Sequence, residues 1–425
     1  MKRRFSRLGV FAGLVAASAM VLAGCSGPSG SDSEGDGGDV TLEFAQWWQP
    51  EANGQLEKLV EQFESENPGI KIELQTGPYG DTKDQLVAGA ASGTLPDLIG
   101  LDGNWVYDLT KQGVLADLDE VMSGSKAAGA IEGVKVDDAT RMLNVTYATY
   151  VLFTNTDILA KAGVQTPTTW DEFAAAARAI KASDPQVSAL ALPLSLESPV
   201  GIKNDVLSWY WASGGTMRDG DGADLESGGL ADVLDFFAGL NKEGLIAPGI
   251  ANMKEQDKVE GFASGQTAMI VSATPHVNVI GDRGQVNFAV SAIPVKDGFS
   301  GTPGATYASW GIGVSDSSKH KKEAAKFVDF LLSAEQNGAL AGAANMFPAN
   351  PDAELDTADM AENSVEAFTV WKQGKPVDEF LGLPAAEELQ RTLIEQVQQV
   401  LTGDIDASKG LRAAQSEWDD IIQGG

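Results

Sequence analysis

Within residues 40–76, VTLEFAQWWQPEANGQLEKLVEQFESENPGIKIELQT, the spacing of the apolar residues changes from that of a strand to that of a helix and back. Residues 41–45 alternate as in a strand, and residues 55–66 have apolar side chains at helical spacing. An Asn-Pro-Gly turn at 67–69 ends that helix, and residues 70–74 alternate again like a strand. This order predicts a βαβ unit at the start of the folded chain.

The same order of elements continues along the chain. Residues 81–92 are predicted to form a helix and residues 97–101 a third strand. Thr169 and Glu172 have capping-box spacing ahead of a predicted helix at 173–181. Strands at 150–154 and 310–314, a helix at 323–332 and a helical end at 387–422 with a break near Gly403 complete the pattern. We therefore expect an α/β fold with mainly parallel sheets flanked by helices.

The chain has 425 residues, which is enough for two domains and a large core. It carries 60 acidic and 30 basic residues, a formal charge of −30. Such a surface repels phosphate backbones and anionic head groups. Nucleic acid and strongly anionic ligands are therefore excluded as expected partners.

The N-terminus has the three parts of an export signal. Basic residues at 2–7 precede an apolar run at 8–21, and small residues lead to Cys25, the only cysteine. The sequence Leu22-Ala23-Gly24-Cys25 resembles the lipobox of bacterial lipoproteins, which implies a lipid on the Cys25 sulfur. We expect residues 1–24 to be the signal peptide. Residues 25–39, rich in Ser, Gly and acidic residues, are expected to form a flexible tether.

Several motifs resemble, in order and spacing, those of the extracytoplasmic sugar-binding proteins of ABC importers, the family that includes maltose-binding protein. They include FESENPGIKI at 63–72, ASGTLPDL at 91–98, FTNTD at 153–157, FASGQTAM at 262–269 and EAAKFVDFL at 323–331. The resemblance implies a two-lobed, type II periplasmic-binding-protein-like fold with the ligand between the lobes. Lobe one would comprise residues 40–147 plus 311–344, and lobe two residues 150–308 plus 348–425.

A neutral sugar presents C–H faces that stack on aromatic rings and hydroxyls that need amide or carboxylate partners. Open α/β sheets hold their ligands at the carboxyl ends of strands. Together with the resemblance, this predicts a site made of ten residues. They are Trp47, Trp48, Gln49, Asp102, Asn104, Trp105, Tyr147, Asn204, His276 and Trp310.

Two positions depart from the maltose-binding pattern. His276 stands where related maltose binders usually have a stacking tryptophan. The region that matches the family's other stacking aromatic has the sequence EELQ, residues 387–390. A sugar remains the expected ligand, but maltose itself is in doubt.

Other functions fit the sequence less well. Two histidines and one cysteine leave little material for a metal site or a nucleophilic triad, so no cofactor or metal is expected. A polyamine- or iron-binding receptor and a lipid-anchored glycoside hydrolase remain as alternatives. We expect a monomeric, lipid-anchored sugar receptor on the outer face of the bacterial membrane. It would deliver its ligand to a permease powered by a separate ATPase, because the chain has no Walker motif.

Overall fold

The structure is a computed structural model that describes residues 39–47, 53–219, 222–355, 357 and 360–424. The predicted signal peptide, Cys25 and the tether as far as residue 38 lie outside these ranges, and so do Trp48 and Gln49. Within the described ranges, no helix combines the length and the apolar content that a membrane span requires.

The strands follow the predicted order and add several short segments. They are β1 (Val40–Gln46), β2 (Ile70–Thr76), β3 (Leu98–Asp102), β4 (Gly133–Val136), β5 (Ala139–Asn155), β6 (Ser188–Leu190), β7 (Arg218–Asp219), β8 (Gly222–Ala223), β9 (Thr267–Ala273), β10 (Phe288–Ser291), β11 (Gly304–Val314), β12 (Phe347–Pro348) and β13 (Lys375–Val377).

The helices occupy the connections between the strands and the C-terminal end of the chain. They are α1 (Asn53–Glu66), α2 (Tyr79–Ser92), α3 (Val106–Lys111), α4 (Leu118–Val121), α5 (Lys126–Ala130), α6 (Thr156–Ala162), α7 (Trp170–Ser183), α8 (Ser208–Ala212), α9 (Leu230–Lys242), α10 (Glu255–Ala263), α11 (His276–Gly281), α12 (Lys321–Leu331), α13 (Ala334–Ala343), α14 (Glu362–Gln373), α15 (Ala386–Thr402) and α16 (Ala407–Gly424). A 3₁₀ turn at Gly103–Trp105 and a π-helix at Ile202–Leu207 are also present.

The predicted helices are present, several with ends that differ by two or three residues; α7 begins at Trp170, directly after Thr169, and α15 ends before Gly403 as predicted. The Thr169 side chain accepts a hydrogen bond from the Glu172 backbone N–H at the start of α7. Gly403, at φ 81°, ends α15, because glycine adopts this left-handed conformation without a Cβ penalty.

The sheets are mixed, and in this respect the expectation of mainly parallel sheets was wrong. Strand β1 pairs in parallel with β2 and β3. Strand β11, however, runs antiparallel to β3 and β5, and β9 runs antiparallel to β5. The antiparallel pairs arise because β5 and β11 cross the molecule in opposite directions.

Strand β5 takes part in two groups of strands. Its residues 143–149 pair with β11, and its residues 150–154 pair with β9. One group contains β1, β2 and β3, and the other contains β6, β9 and β10. This arrangement confirms the two-lobed α/β fold class.

Helices α15 and α16 pack together at the end of the chain. The Trp418 side chain is fully buried, and its Nε1 donates a hydrogen bond to the Leu389 carbonyl oxygen at 2.8 Å. Its ring meets Phe380 edge to face at 5.7 Å. Trp418 therefore fixes the position of α15 by both packing and a directional bond.

We predict that Trp418→Phe lowers the free energy of unfolding by about 1–2 kcal/mol, because a smaller aromatic ring still packs there but the hydrogen bonds of Nε1 to Leu389 and Thr392 are lost. Trp418→Ala should cost about 3–5 kcal/mol, because it leaves a cavity. Urea unfolding measures both values, with the exposed Asp420→Ala on the same helix as the control. A cost of Trp418→Ala no larger than that of the control would contradict this role.

Candidate ligand-binding site

The ends of three strands bring several predicted residues to one edge of a sheet. Strands β1 and β3 are parallel neighbours, so Trp47 follows one and Asp102 ends the other on the same side. Strand β11 runs antiparallel to β3, and Trp310 is the direct pairing partner of Asp102. Clefts of α/β sheets form at such strand ends.

The turn after β3 holds two polar groups in fixed positions. The Asp102 carboxylate accepts a hydrogen bond from the Asn104 backbone N–H at 2.8 Å. Burial raises the pKa of Asp102, and the nearby Lys203 charge acts in the opposite direction. The Asn104 side chain is only 4% exposed, and its Oδ1 has no hydrogen-bond partner among the described residues. The turn therefore presents a carboxylate and an amide oxygen that can accept bonds from a ligand.

The described tryptophans differ in exposure. Trp105 is fully buried in an apolar cluster with Leu101 and Leu109, and its ring lies 5.9 Å from that of Trp47. Trp310 is also buried and packs 6.2 Å from Phe44. Trp47 is only half-buried, so it is the one of the three whose ring has substantial surface left for a ligand.

The π-helix at 202–207 is clamped by buried ion pairs on both sides of Asn204. The Lys203 Nζ lies 2.8 Å from an Asp378 oxygen, and the Lys258 Nζ lies 2.8 and 3.0 Å from the two Asp205 oxygens. The Asn204 side chain is 2% exposed, and within the described part of the chain its Oδ1 has no partner. Because π-helical segments are frequent at functional sites, this segment is a good candidate for the second wall of the site.

The two walls lie close together, because helix α15 packs against both the turn at Gly103–Trp105 and the π-helix at Ile202–Leu207. Burial raises the pKa of Tyr150 well above its ordinary value, and the charges of Glu255, Asp205, Asp102 and Asp378 raise it further. Asp102 belongs to the turn after β3, whereas Asp205 lies on the π-helix. Tyr150, on the crossing strand β5, therefore marks the point where the two groups of candidate residues meet.

Burial also perturbs Asp205. It raises the pKa of this carboxyl to about 7, against the lowering effect of the Lys258 charge and hydrogen bonds. The pair is almost completely inaccessible to solvent, with Lys258 0% and Asp205 1% exposed. Breaking such a pair leaves one buried charge uncompensated, so each partner holds the other in place.

His276 lies near this buried pair at the start of α11. Its Nδ1 is 2.7 Å from the Ser272 Oγ. Burial lowers the pKa of the ring, and the charges of Glu255 and Lys258 also act on it in opposite directions. Helix α11, which begins with His276, packs against α10, which carries Lys258, so the His276 ring lies on the same side of the molecule as the Lys258–Asp205 pair and bonds to Ser272.

Tyr147 is placed elsewhere. It stacks on Trp371 with ring centres 5.8 Å apart and meets Tyr307 edge to face at 5.4 Å. Burial raises its pKa to about 12. Side chains alternate along a strand, so Tyr147 and Tyr150 point to opposite faces of β5. The structure does not bring Tyr147 together with the carboxylates around Tyr150.

Several residues of the site were missed from the sequence, because their partners are distant along the chain. Lys83 on α2 and Glu387 on α15 form an ion pair of 3.0 Å across 304 residues. Beside this pair lies a cavity of about 230 Å³ that includes Asn104 and Gln390. Sequence spacing gave no signal for the ion pair. The other missed residues are Tyr150, Lys203, Lys258 and Asp378.

The described residues contain no group of three or more His, Cys, Asp and Glu side chains suited to hold a metal ion. The candidate site instead contains amide, carboxylate, lysine and aromatic side chains. Such groups donate and accept hydrogen bonds to an uncharged polar ligand.

The sequence pattern of the bacterial extracellular solute-binding protein family matches residues 47–338. The chain belongs to this family. A binding protein of Brucella abortus is 26% identical to this solute-binding protein, over 92% of its chain and 95% of the relative. A maltooligosaccharide ABC transporter solute-binding lipoprotein of Streptococcus pneumoniae is 24% identical, over 83% of each chain.

Solved structures share the fold of this solute-binding protein. The cyclic α-maltosyl-1,6-maltose binding protein of Arthrobacter globiformis superposes with a TM-score of 0.74 at 19% identity. The match covers 91% of this chain and all of the other. The two-lobed architecture is therefore shared along nearly the whole chain.

We predict that His276 makes the stability of this solute-binding protein depend on pH. Its pKa in the folded state lies below the ordinary value of about 6.5, so the unfolded chain binds more protons just below that pH. The stabilising effect is present above pH 6.5 and is lost as the pH falls, by at most about 1.4 kcal/mol per pH unit.

Urea unfolding between pH 7.5 and 5 tests this dependence. The free energy of unfolding should fall less steeply on acidification in His276→Gln than in the wild type. His320→Gln, which removes the other histidine, is the control. Equal slopes in the wild type and His276→Gln would contradict the assignment.

Proposed function

We propose that this protein is the substrate-binding component of an ABC importer and that it captures a mono- or oligosaccharide between its lobes. The observation that carries the proposal is the meeting of two polar walls at the crossing strand. Asn104 on one wall and Asn204 on the other are both buried, and no described residue bonds to their Oδ1 atoms. Unpaired buried amides lose hydrogen-bond energy that a ligand rich in hydroxyls restores.

The charges favour a neutral ligand. The carboxylates of Asp205 and Asp378 already have lysine partners at hydrogen-bond distance. Asp102 is then the carboxylate of the two walls that has no described lysine at hydrogen-bond distance, whereas a polyamine would need a free carboxylate for each of its amines and ferric iron would need a cluster of anionic ligands. The names of similar proteins point the same way, since the Streptococcus pneumoniae relative is named for maltooligosaccharides and the Arthrobacter globiformis protein for a cyclic maltosyl-maltose.

We propose that the lobes divide as the sequence suggested, with residues 40–147 plus 311–344 in one and residues 150–308 plus 348–425 in the other. Strands β5, β11 and β12 would then cross between them. Rotation about these crossings would open the site, and the Lys83–Glu387 ion pair would join the lobes when it closes.

The family consists of extracellular binding proteins, and we propose no catalytic activity for this chain. A membrane permease would receive the closed, loaded form. A lipid on Cys25 would hold the monomer at the outer face of the membrane, and the name of the Streptococcus pneumoniae relative, a lipoprotein, supports such an anchor.

Sugar binding is tested by thermal shift on the soluble body, residues 39–425. The panel contains glucose, galactose, maltose, maltotriose, lactose, raffinose, spermidine and ferric citrate. A micromolar ligand at millimolar concentration should stabilise the native state by about 4 kcal/mol. Stabilisation by sugars alone is expected. A response only to spermidine or iron would overturn the sugar assignment. The absence of catalysis is tested separately by incubating the protein with aryl glycosides, and release of the aryl product would overturn it.

The lipid anchor is tested by fractionation of cells that express the full chain. The wild type should be found with membranes, and Cys25→Ser should be released into the soluble extracytoplasmic fraction, because it lacks the thiol that carries the lipid. Ser26→Ala is the matched control and should remain with membranes. Membrane retention of Cys25→Ser would rule out this anchor.

A further inference from the structure

The three crossing strands each place an aromatic ring on the same face of the sheet. The rings are those of Tyr147 on β5, Tyr307 on β11 and Phe347 on β12. Phe347 is the direct pairing partner of Tyr147, and Tyr307 meets the Tyr147 ring edge to face at 5.4 Å. Burial raises the pKa of both tyrosines, so their hydroxyls stay neutral and the contacts among the rings depend on packing.

Trp371, on α14, touches all three of these rings. It stacks on Tyr147 and Phe347, with ring centres 5.8 and 5.7 Å apart and interplanar angles of 28° and 22°. It meets Tyr307 edge to face at 5.8 Å. Helix α14 belongs to the proposed lobe two and is not itself a crossing element. We call these four residues the hinge cluster, because one side chain outside the crossings contacts each of them.

The hinge cluster lies on the face of the crossing strands opposite the candidate site. Side chains alternate along a strand, so Tyr307 and Trp310 point to opposite faces of β11. Trp310 is the pairing partner of Asp102 in the candidate site. A ligand held between the two walls therefore lies across the sheet from Trp371.

The hinge cluster is complete in the arrangement in which the proposed lobes touch. In the same structure the Lys83–Glu387 ion pair of 3.0 Å joins α2 to α15. Rotation about the crossings changes the angles between the crossing strands and α14. Aromatic pairs are favourable in stacked or edge-to-face geometry with centres about 4.5–7 Å apart. Because one ring contacts three strands, a rotation that preserves one of these contacts disturbs the others.

We infer that Trp371 is a positioning residue for lobe closure: its contacts with the three crossing strands favour the closed arrangement and so raise the affinity for a ligand that it does not touch. The inference rests on the proposed function, because it requires a ligand that is captured by closure. When the binding-competent arrangement is only partly populated, the apparent affinity is reduced by that fraction. A residue that raises the closed fraction of the free protein therefore tightens binding from a distance.

The test measures ligand affinity by calorimetry, with the panel compound that stabilises the wild type most. Trp371→Ala should bind it about 10-fold more weakly, which corresponds to about 1.4 kcal/mol and is comparable with the loss of one aromatic pair. Trp371→Phe keeps a stacking ring and should recover most of the affinity. Trp371→Leu keeps an apolar side chain without a ring, so it should bind as weakly as Trp371→Ala. The leucine variant decides the test if the alanine variant does not fold.

Phe236→Ala is the matched control. Phe236 is half-buried, as Trp371 is, and stacks on Trp170 with ring centres 5.2 Å apart. It lies on α9, whose main contacts are with α15 and α16. Its removal should lower the free energy of unfolding in urea, as Trp371→Ala does, and leave ligand affinity unchanged. At saturating ligand, X-ray scattering should give the wild type and Trp371→Ala the same radius of gyration, because excess ligand still closes the variant.

The outcomes separate this role from the proposed function. Equal affinity of the wild type and Trp371→Ala would overturn the inference while the function stands, and tighter binding by the variant would do the same. Equal weakening by Phe236→Ala, or a Trp371→Ala that stays expanded at saturation, would make Trp371 an ordinary core residue and also overturn it. If the ligand is spermidine or ferric citrate, the sugar assignment falls, and weaker binding by Trp371→Ala still supports the inference. A wild type that binds nothing in the panel overturns both.

Discussion

The continuous backbone pairing of β5 is the constraint on which the rest of the structure depends. This strand pairs with β11 along residues 143–149 and with β9 along residues 150–154. Its register fixes Tyr150 beside Ala273, and the register of β11 fixes Trp310 beside Asp102. Polar groups that are far apart in the sequence meet because two long strands run past each other at this point.

Buried polar groups concentrate at the same place. Two ion pairs, Lys203–Asp378 and Lys258–Asp205, are almost fully inaccessible to solvent. Apolar residues of similar volume often stabilise a protein as much as such pairs do, or more. Their position on both sides of Asn204 suggests a different use, which is to hold a π-helical segment in one orientation. Stability is given up here for a preorganised surface, as is common at binding sites.

Local sequence chemistry predicted most of the elements but not the site as a whole. The Asn-Pro-Gly turn at 67–69, the capping pair of Thr169 and Glu172, and Gly403 act on their immediate neighbours, and their effects could be predicted. The mixed sheet could not be predicted, because antiparallel pairing of β5 with β11 and β9 depends on long-range topology.

The aromatic candidates show the same limit. A hydrophobic pattern cannot tell a cleft-facing tryptophan from a core one, and the structure buries Trp105 and Trp310. Likewise, Lys83 and Glu387 carry no local signal of their contact across 304 residues.

A crystal structure of the protein with a bound sugar tests the central claim most directly. The account predicts one ligand that contacts the turn at Asp102–Asn104 on one side and Asn204 on the other. A sugar bound to only one of these walls, or away from both, would contradict it.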